Sequence, residues 1–221
     1  MDGNMNLNNF SAIDDSISKQ YGTPNENSID QALKEALSSL NRKIVVLDDD
    51  PTGVQTVHDI YVYTNWDRQS IESGFVEANP IFFILTNSRG LLAKETRQVH
   101  EEIAKNIAEI SRKRKQKYII VSRSDSTLRG HFPLETMTLQ DTLERNTEIR
   151  LDAEIIIPFF KEGGRFTINN IHYVREGHTL IPVGQTEFAK DKTFGFSSSH
   201  LGEWVEEKTK GTFTKESCTY V

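Results

Sequence analysis

Tyr118-Ile119-Ile120-Val121 runs without a break into Ser122-Arg123-Ser124-Asp125-Ser126-Thr127-Leu128-Arg129-Gly130-His131. A short β-branched and aromatic run that gives way at once to hydroxyls, a carboxylate and guanidiniums has the form of a buried strand ending at a polar face. In open α/β sheets, ligands sit outside the carboxyl ends of the strands. The stretch therefore predicts a strand and, at its end, a site for a small, polar, anionic molecule.

The same form recurs along the chain. Ile44-Val45-Val46-Leu47 ends in Asp48-Asp49-Asp50-Pro51-Thr52-Gly53, and Ile81-Phe82-Phe83-Ile84-Leu85 ends in Thr86-Asn87-Ser88-Arg89. Ile155-Ile156-Ile157 leads into Pro158-Phe159-Phe160-Lys161-Glu162-Gly163-Gly164-Arg165, and Ile60-Tyr61-Val62-Tyr63 is a further strand-like run. Between them lie helical spacings. Val99, Ile103, Ile107 and Ile110 predict a crossover helix from Ala93, and a second helix is expected from about Pro133 to Arg145. An earlier helix is expected from Ser28 to Leu40, with Ser28 as its N-cap and Ile29, Leu33, Ala36, Leu37 and Leu40 on one face. Beyond 165 the sequence reads as loop-rich, with hairpin strands over Phe166–Ile168 and Ile171–Val174 and a last helix over Ser199–Thr209. The fold class expected is α/β, a mostly parallel sheet flanked by helices, doubly wound and Rossmann-like, with a loop-rich C-terminal part. Residues 1–28 are expected to form a loose N-terminal arm and 29–221 the folded domain.

Composition narrows the function classes. A chain of 221 residues that is 36% hydrophobic can bury a real core. Its net charge of -6 offers nucleic acid no general attraction. The one basic run, Arg112-Lys113-Arg114-Lys115, has no aromatic residues interleaved and reads as a solvated helix end. No apolar stretch is long enough to span a bilayer, and the N-terminus has no charged-then-apolar signal pattern, so a cytoplasmic location is expected. Cys218 is the only cysteine. That excludes an intramolecular disulfide and any multi-cysteine metal site, and no metal ligands are assigned.

Each cluster carries chemistry and also has a plainer explanation. Three consecutive acids at 48–50 raise one another's pKa unless a cation or a proton is shared, which points to a ligand or catalytic role. Asp-Pro-Thr-Gly is equally good turn chemistry, and Pro51 and Gly53 are read that way. Ser88 and Arg89 could clamp a carboxylate, or serve as a helix cap and a surface ion pair. Asp125, Ser126, Thr127 and Arg129 offer an acceptor, two hydroxyls and a cation within five residues, and Gly130 allows close backbone approach. His131 reads as a structural hydrogen-bonder. Gly163-Gly164-Arg165 reads as an anion-gripping loop or as a two-glycine turn. His172, His178 and His200 receive no assignment.

Two templates fit this layout. Asp48-x-Asp50-x-Thr52-Gly53 after four apolar residues matches the nucleophile pattern of a haloacid-dehalogenase-type phosphatase, with Thr86 or Ser88 as its second-motif hydroxyl. That template also needs a lysine and an acidic pair after a later strand, and Ile155–Ile157 is followed by Pro-Phe-Phe-Lys instead. The chain resembles more extensively the N-terminal domain of the four-carbon acid sugar kinase family, formerly a domain of unknown function. The resemblance rests on Asp49-Asp50-Pro51-Thr52-Gly53, Ser88-Arg89, Asp125-Ser126-Thr127-Leu128-Arg129-Gly130 and the run from Pro158 to Arg165. It continues through Gln185-Thr186-Glu187-Phe188-Ala189-Lys190-Asp191 to Glu203-Trp204-Val205, covering about 42–210 in order.

The resemblance implies a two-domain enzyme that transfers phosphate from ATP to a hydroxyl of threonate, erythronate or their 3-oxo forms. In it the N-terminal domain holds the acid sugar, and a C-terminal domain, which this chain does not match, holds ATP and Mg2+. No Walker-type Gly-x-x-x-x-Gly-Lys stretch substitutes for that domain. A sugar acid presents one carboxylate and several hydroxyls. Arg89, Arg129 and Arg165 would then pair with the carboxylate, while Asp49, Asp50, Ser126 and Thr127 read the hydroxyls. Thr52, Gly53, Ser88 and Gly130 complete the expected site, and Asp50 or Asp125 is nominated as the base that accepts the hydroxyl proton. No cofactor is expected on this chain alone. Its expected partners are the sugar acid, a nucleotide-binding domain in cis or in trans, and a second copy through the uncovered face, with no nucleic acid and no membrane. The alternative function is a non-catalytic small-molecule-binding module or half of a split enzyme.

Overall fold

The structure, a computed structural model, describes residues 10–17 and 25–221. Its elements are β1 (Ile13–Asp14), α1 (Glu26–Ser39), β2 (Arg42–Asp48), β3 (Val62–Tyr63), α2 (Arg68–Val76), β4 (Ile81–Leu85) and α3 (Ala93–Arg114). There follow β5 (Lys117–Arg123), α4 (Leu134–Asn146), β6 (Arg165–Ile168), β7 (Ile171–Glu176), β8 (Thr179–Pro182) and α5 (Leu201–Lys208). The chain divides into two compact units. One comprises residues 31–125 and 130–155; the other comprises 126–129 and 156–221 with the described N-terminal residues up to 30.

The first unit is built on a parallel sheet in the order β3-β4-β2-β5. Register places Val45 beside Phe82 and Ile120, and Leu47 beside Ile84 and Ser122, so alternate side chains form one apolar face. Val45, Leu47, Phe82 and Ile84 on that face join Ile71 and Phe75 of α2, Ile103, Ala104 and Ile107 of α3, and Leu139 and Leu143 of α4 in one buried cluster. Each fully buried aliphatic or aromatic side chain there contributes about 1.5–3 kcal/mol. The unit is α/β, a parallel sheet flanked by helices, as the strand and helix spacings predict. The predicted crossover helix forms and runs on to Arg114, where the basic run lies exposed around the left-handed C-cap Lys115 (φ 53°). Helix α2 is not predicted from the sequence, because only Ile71 and Phe75 mark its buried face besides Gly74. Its start is fixed by Asp67, whose carboxylate accepts from the Ser70 N–H at 2.8 Å.

Two expectations are corrected. Helix α1 begins at Glu26, and Asn25 rather than Ser28 takes the first free N–H, accepting from Asn27 N at 3.1 Å. None of its residues is buried, so its predicted apolar face is not a core face. Ile155–Ile157 is not a strand: the run has no ladder partner, and Ile155 and Ile157 are 83% and 78% exposed. A β-branched run becomes a strand only where a neighbour supplies the hydrogen bonds, and β2 already has both of its neighbours in β4 and β5.

The second unit carries the expected hairpin and last helix within a larger sheet. It holds an antiparallel sheet in the order β1-β8-β7-β6. The predicted hairpin forms as β6 and β7, joined through Asn169 and Asn170, both at positive φ (49° and 66°), the two-residue turn that matches strand twist. Tyr173, Val174, Leu180, Val183, Phe194, Phe196, Trp204 and Val205 are buried in this unit. The last helix forms as α5, with His200 accepting from the Gly202 N–H at 3.2 Å. The arm expected over 1–28 lies largely outside the described residues; of the part described, β1 pairs with β8. Among the described residues no helix is long and apolar enough to cross a membrane.

Candidate functional site

In the parallel-sheet unit, the carboxyl ends of β2, β4 and β5 bring three of the predicted clusters together. Strand β2 ends at Asp48, and Pro51–Val54 turns the chain back in a 3-10 turn opened by Asp50. Asp50 is extended (φ -150°, ψ 138°), and its Oδ1 accepts from Thr52 N at 2.8 Å and from the Thr52 hydroxyl. Those hydrogen bonds, the hydroxyl's first, hold its carboxyl below the usual carboxylate range. Thr52 and Gly53 are thus the frame that presents Asp50.

The crowding of three acids is relieved by two arginines. Arg89 grips Asp49 with Nε at 3.0 Å from Oδ2 and Nη2 at 2.6 Å from Oδ1, while its Nη1 lies 3.4 Å from Asp50 Oδ2. Asp49 is nevertheless so enclosed that burial pushes its carboxyl up to about 6. Asp48 is 1% exposed, and burial raises its pKa as well; Arg123 Nη1 lies 3.5 Å from Oδ1. Gly53 is required by this packing, because a Cβ there would sit 2.0 Å from the Asp48 oxygens. Gly130 (φ +131°) backs the same group, its Cβ position 3.3 Å from Asp49 Oδ2. Asp125 is near enough to Arg89 for their charges to interact.

Ser88 is fully buried. Its Oγ lies 2.6 Å from Glu135 Oε1 of α4, and it opens the Ser88–Gly90 turn that carries Arg89. His131 is a structural hydrogen-bonder, its Nε2 3.1 Å from Leu91 O.

The remaining predicted residues belong to the second unit. Ser126–Arg129 is held there by His172, whose buried ring puts Nε2 2.7 Å from Ser126 O and Nδ1 2.9 Å from Thr167 Oγ1. Leu128 is buried at φ 66°, and Thr127 is buried with its Oγ1 accepting from Arg129 Nε at 3.2 Å. Arg129 and Arg165 both stand over the ring of Phe188, their guanidinium carbons 5.0 and 5.5 Å from its centre. Asp191 Oδ2 lies 3.8 Å from Arg129 Nη1. The Asp191 carboxyl is itself lowered, chiefly by the backbone N–H groups of Phe194 and Thr193. Gly163 lets Arg165 curl back: its carbonyl accepts from Arg165 Nη1, and a Cβ at 163 would meet the Phe160 ring at 2.4 Å.

The sequence reading misses Arg123, Glu135, His172, Phe188 and Asp191 as site residues. Phe188 and Asp191 stand in the Gln185–Asp191 motif, which is a usable signal. His172 and Glu135 carry none, since each acts through a contact to a residue far along the chain. Among the described residues no group of three or more His, Cys, Asp or Glu side chains is placed to hold a metal.

A family profile described as a sugar-binding N-terminal domain matches residues 44–219, most of the chain. Comparison with curated proteins finds no match. The chain belongs to the family of sugar-binding N-terminal domains, the N-terminal domain of the four-carbon acid sugar kinases, and its role is to bind a sugar.

Proposed function

We propose that this chain is the substrate-binding half of an ATP-dependent kinase acting on four-carbon sugar acids of the threonate, erythronate or 3-oxo-tetronate type. The observation that carries the reading is the pair of guanidiniums on one ring, Arg129 and Arg165 over Phe188, beside the Asp191 carboxylate. Each guanidinium offers a planar donor fork of the shape that a sugar carboxylate accepts. Arg89 and Arg123 face Asp48, Asp49 and Asp50, and the sugar carboxylate is assigned to Arg129 and Arg165.

Asp50 reads a sugar hydroxyl, because its lowered pKa keeps it an acceptor and makes it a poor proton sink. Asp125 is then the better nominee for the base, and Ser126 and Thr127 frame the substrate through the segment they share with Arg129. ATP and magnesium belong to the second domain of the family, in cis or in trans. ATP supplies the phosphoryl group; this chain's residues orient the acid sugar and take the proton.

Calorimetric titration with threonate and erythronate tests the reading. Heat with a tetronate, none with the uncharged tetritol, and at least a tenfold loss in Arg129→Ala are expected. No heat with any tetronate, or unchanged affinity in the variant, overturns it. Added nucleotide-binding domain should bring turnover that Asp125→Asn abolishes without loss of tetronate affinity.

A further inference from the structure

The two oxygens of one carboxylate in the antiparallel unit are used unequally. Asp191 closes the Gln185–Asp191 motif and opens a tight turn, where its Oδ1 accepts from Thr193 N at 2.8 Å and from Phe194 N at 2.9 Å. Two more contacts hold the turn. Phe196 N donates to Ala189 O at 3.1 Å, and Lys208 of α5 donates from Nζ to Phe194 O at 3.3 Å. Gly195 permits so close a return, because a Cβ there would meet Asp191 O at 2.5 Å.

Asp191 Oδ2 is different. Its ion-pair contact is Arg129 Nη1 at 3.8 Å, too long for a hydrogen bond, and it accepts none among the described residues. The side chain is 28% exposed, so the carboxylate is not sealed off from solutes. The Phe194 and Thr193 N–H groups hold this carboxyl below its usual range, which keeps it ionised near neutral pH. An ionised carboxylate only accepts: it can take the hydrogen of a hydroxyl and has nothing to give a ketone.

The place of that oxygen decides which hydroxyl it can read. Threonate, erythronate and their 3-oxo forms all carry a hydroxyl on the carbon next to the carboxylate. An acceptor for that hydroxyl must stand beside the group that holds the carboxylate. Oδ2 stands beside Arg129, which shares the Phe188 ring with Arg165. We propose that Asp191 selects 2-hydroxy acids, its Oδ2 accepting from the hydroxyl next to the sugar carboxylate while Oδ1 stays tied to the turn. The assignment takes Arg129 as the holder of that carboxylate and so rests on the proposed function. An acid without the 2-hydroxyl leaves Oδ2 facing the ligand unpaired.

Calorimetric titration of wild type and Asp191→Asn with threonate, erythronate and 3,4-dihydroxybutanoate tests it. The last acid differs in lacking the 2-hydroxyl. Wild type should bind the better tetronate at least tenfold more tightly than the deoxy acid. Asp191→Asn keeps an oxygen for Thr193 and Phe194 but loses the charged acceptor, and should cut that preference at least threefold. If Asp191 serves only as a counter-ion for Arg129, the variant shifts both affinities by one factor and the preference stays, which overturns the proposal. So does a wild type that binds the deoxy acid as tightly as the tetronate, a comparison made without any variant. Tetronate binding that lacks the preference overturns the role of Asp191 alone, whereas no binding of any of these acids overturns the proposed function with it.

Discussion

Arg89 and Asp49 meet through two contacts, Nε to Oδ2 and Nη2 to Oδ1, on a carboxylate that water barely reaches. Breaking such a pair from one side leaves a buried charge with no counterpart. Arg89→Ala should therefore cost about 3–5 kcal/mol in urea unfolding. Arg89→Lys should recover only part of that, since one ammonium cannot match both oxygens. Wild-type stability in the alanine variant would show that the fork carries no weight.

The raised pKa of Asp49 sets a direction for pH dependence. Its carboxyl moves from an ordinary 3.8 to about 6, so the folded state binds the proton more tightly than the unfolded chain. The stabilisation from this group is fully present below about 3.8 and is lost as pH rises through about 6. Relative to Asp49→Asn, wild type should lose Tm steadily across that window. Parallel curves for the two proteins would contradict the assignment.

Gly53 and Asp48 share one space. Gly53→Ala sets a methyl group 2.0 Å from the Asp48 oxygens and should destabilise by about 1–3 kcal/mol. The clash is with a side chain, so Asp48→Ala should relieve it. In denaturant unfolding, the double variant should be no less stable than Asp48→Ala alone.

Phe188→Leu keeps apolar bulk and removes the π face under Arg129 and Arg165. A loss of about 1 kcal/mol per contact is expected. It should appear as weaker tetronate binding in calorimetry, with a smaller change in Tm than Phe188→Ala produces.

His172 ties Ser126 to the antiparallel unit through one hydrogen bond to a carbonyl. His172→Ala leaves that carbonyl without its donor, at an expected cost of about 1–3 kcal/mol. Hydrogen exchange should quicken at Thr127 and Arg129 before it does in β7. Uniform quickening would mean that His172 holds the whole unit rather than the segment.

The strands β2, β4 and β5 and the long helix α3 are legible because their apolar residues recur at the period of the element, and period is a local property. Ile155–Ile157 looks the same by that measure and fails as a strand, because strandhood also requires a neighbour. The four-stranded antiparallel sheet is only half legible. Its hairpin is announced by Asn169-Asn170, but the pairing of β1 with β8 joins residues from opposite ends of the chain.

For the site, the sequence by itself determined which chemistry is present: acids at 48–50, arginines at 89, 129 and 165, and the glycines that let backbone approach them. Residue type and local turn chemistry are written in adjacent positions, and so is membership of the sugar-binding family. Only the tertiary structure decided how those charges are spent. It commits Arg89 and Arg123 to the acid cluster, sets Arg129 and Arg165 on the ring of Phe188, and buries Ser88 against Glu135. The physical reason is that an ion pair or a buried hydrogen bond depends on distance through space at an ångström scale. Asp49 finds Arg89 forty residues away, and no local pattern encodes that meeting.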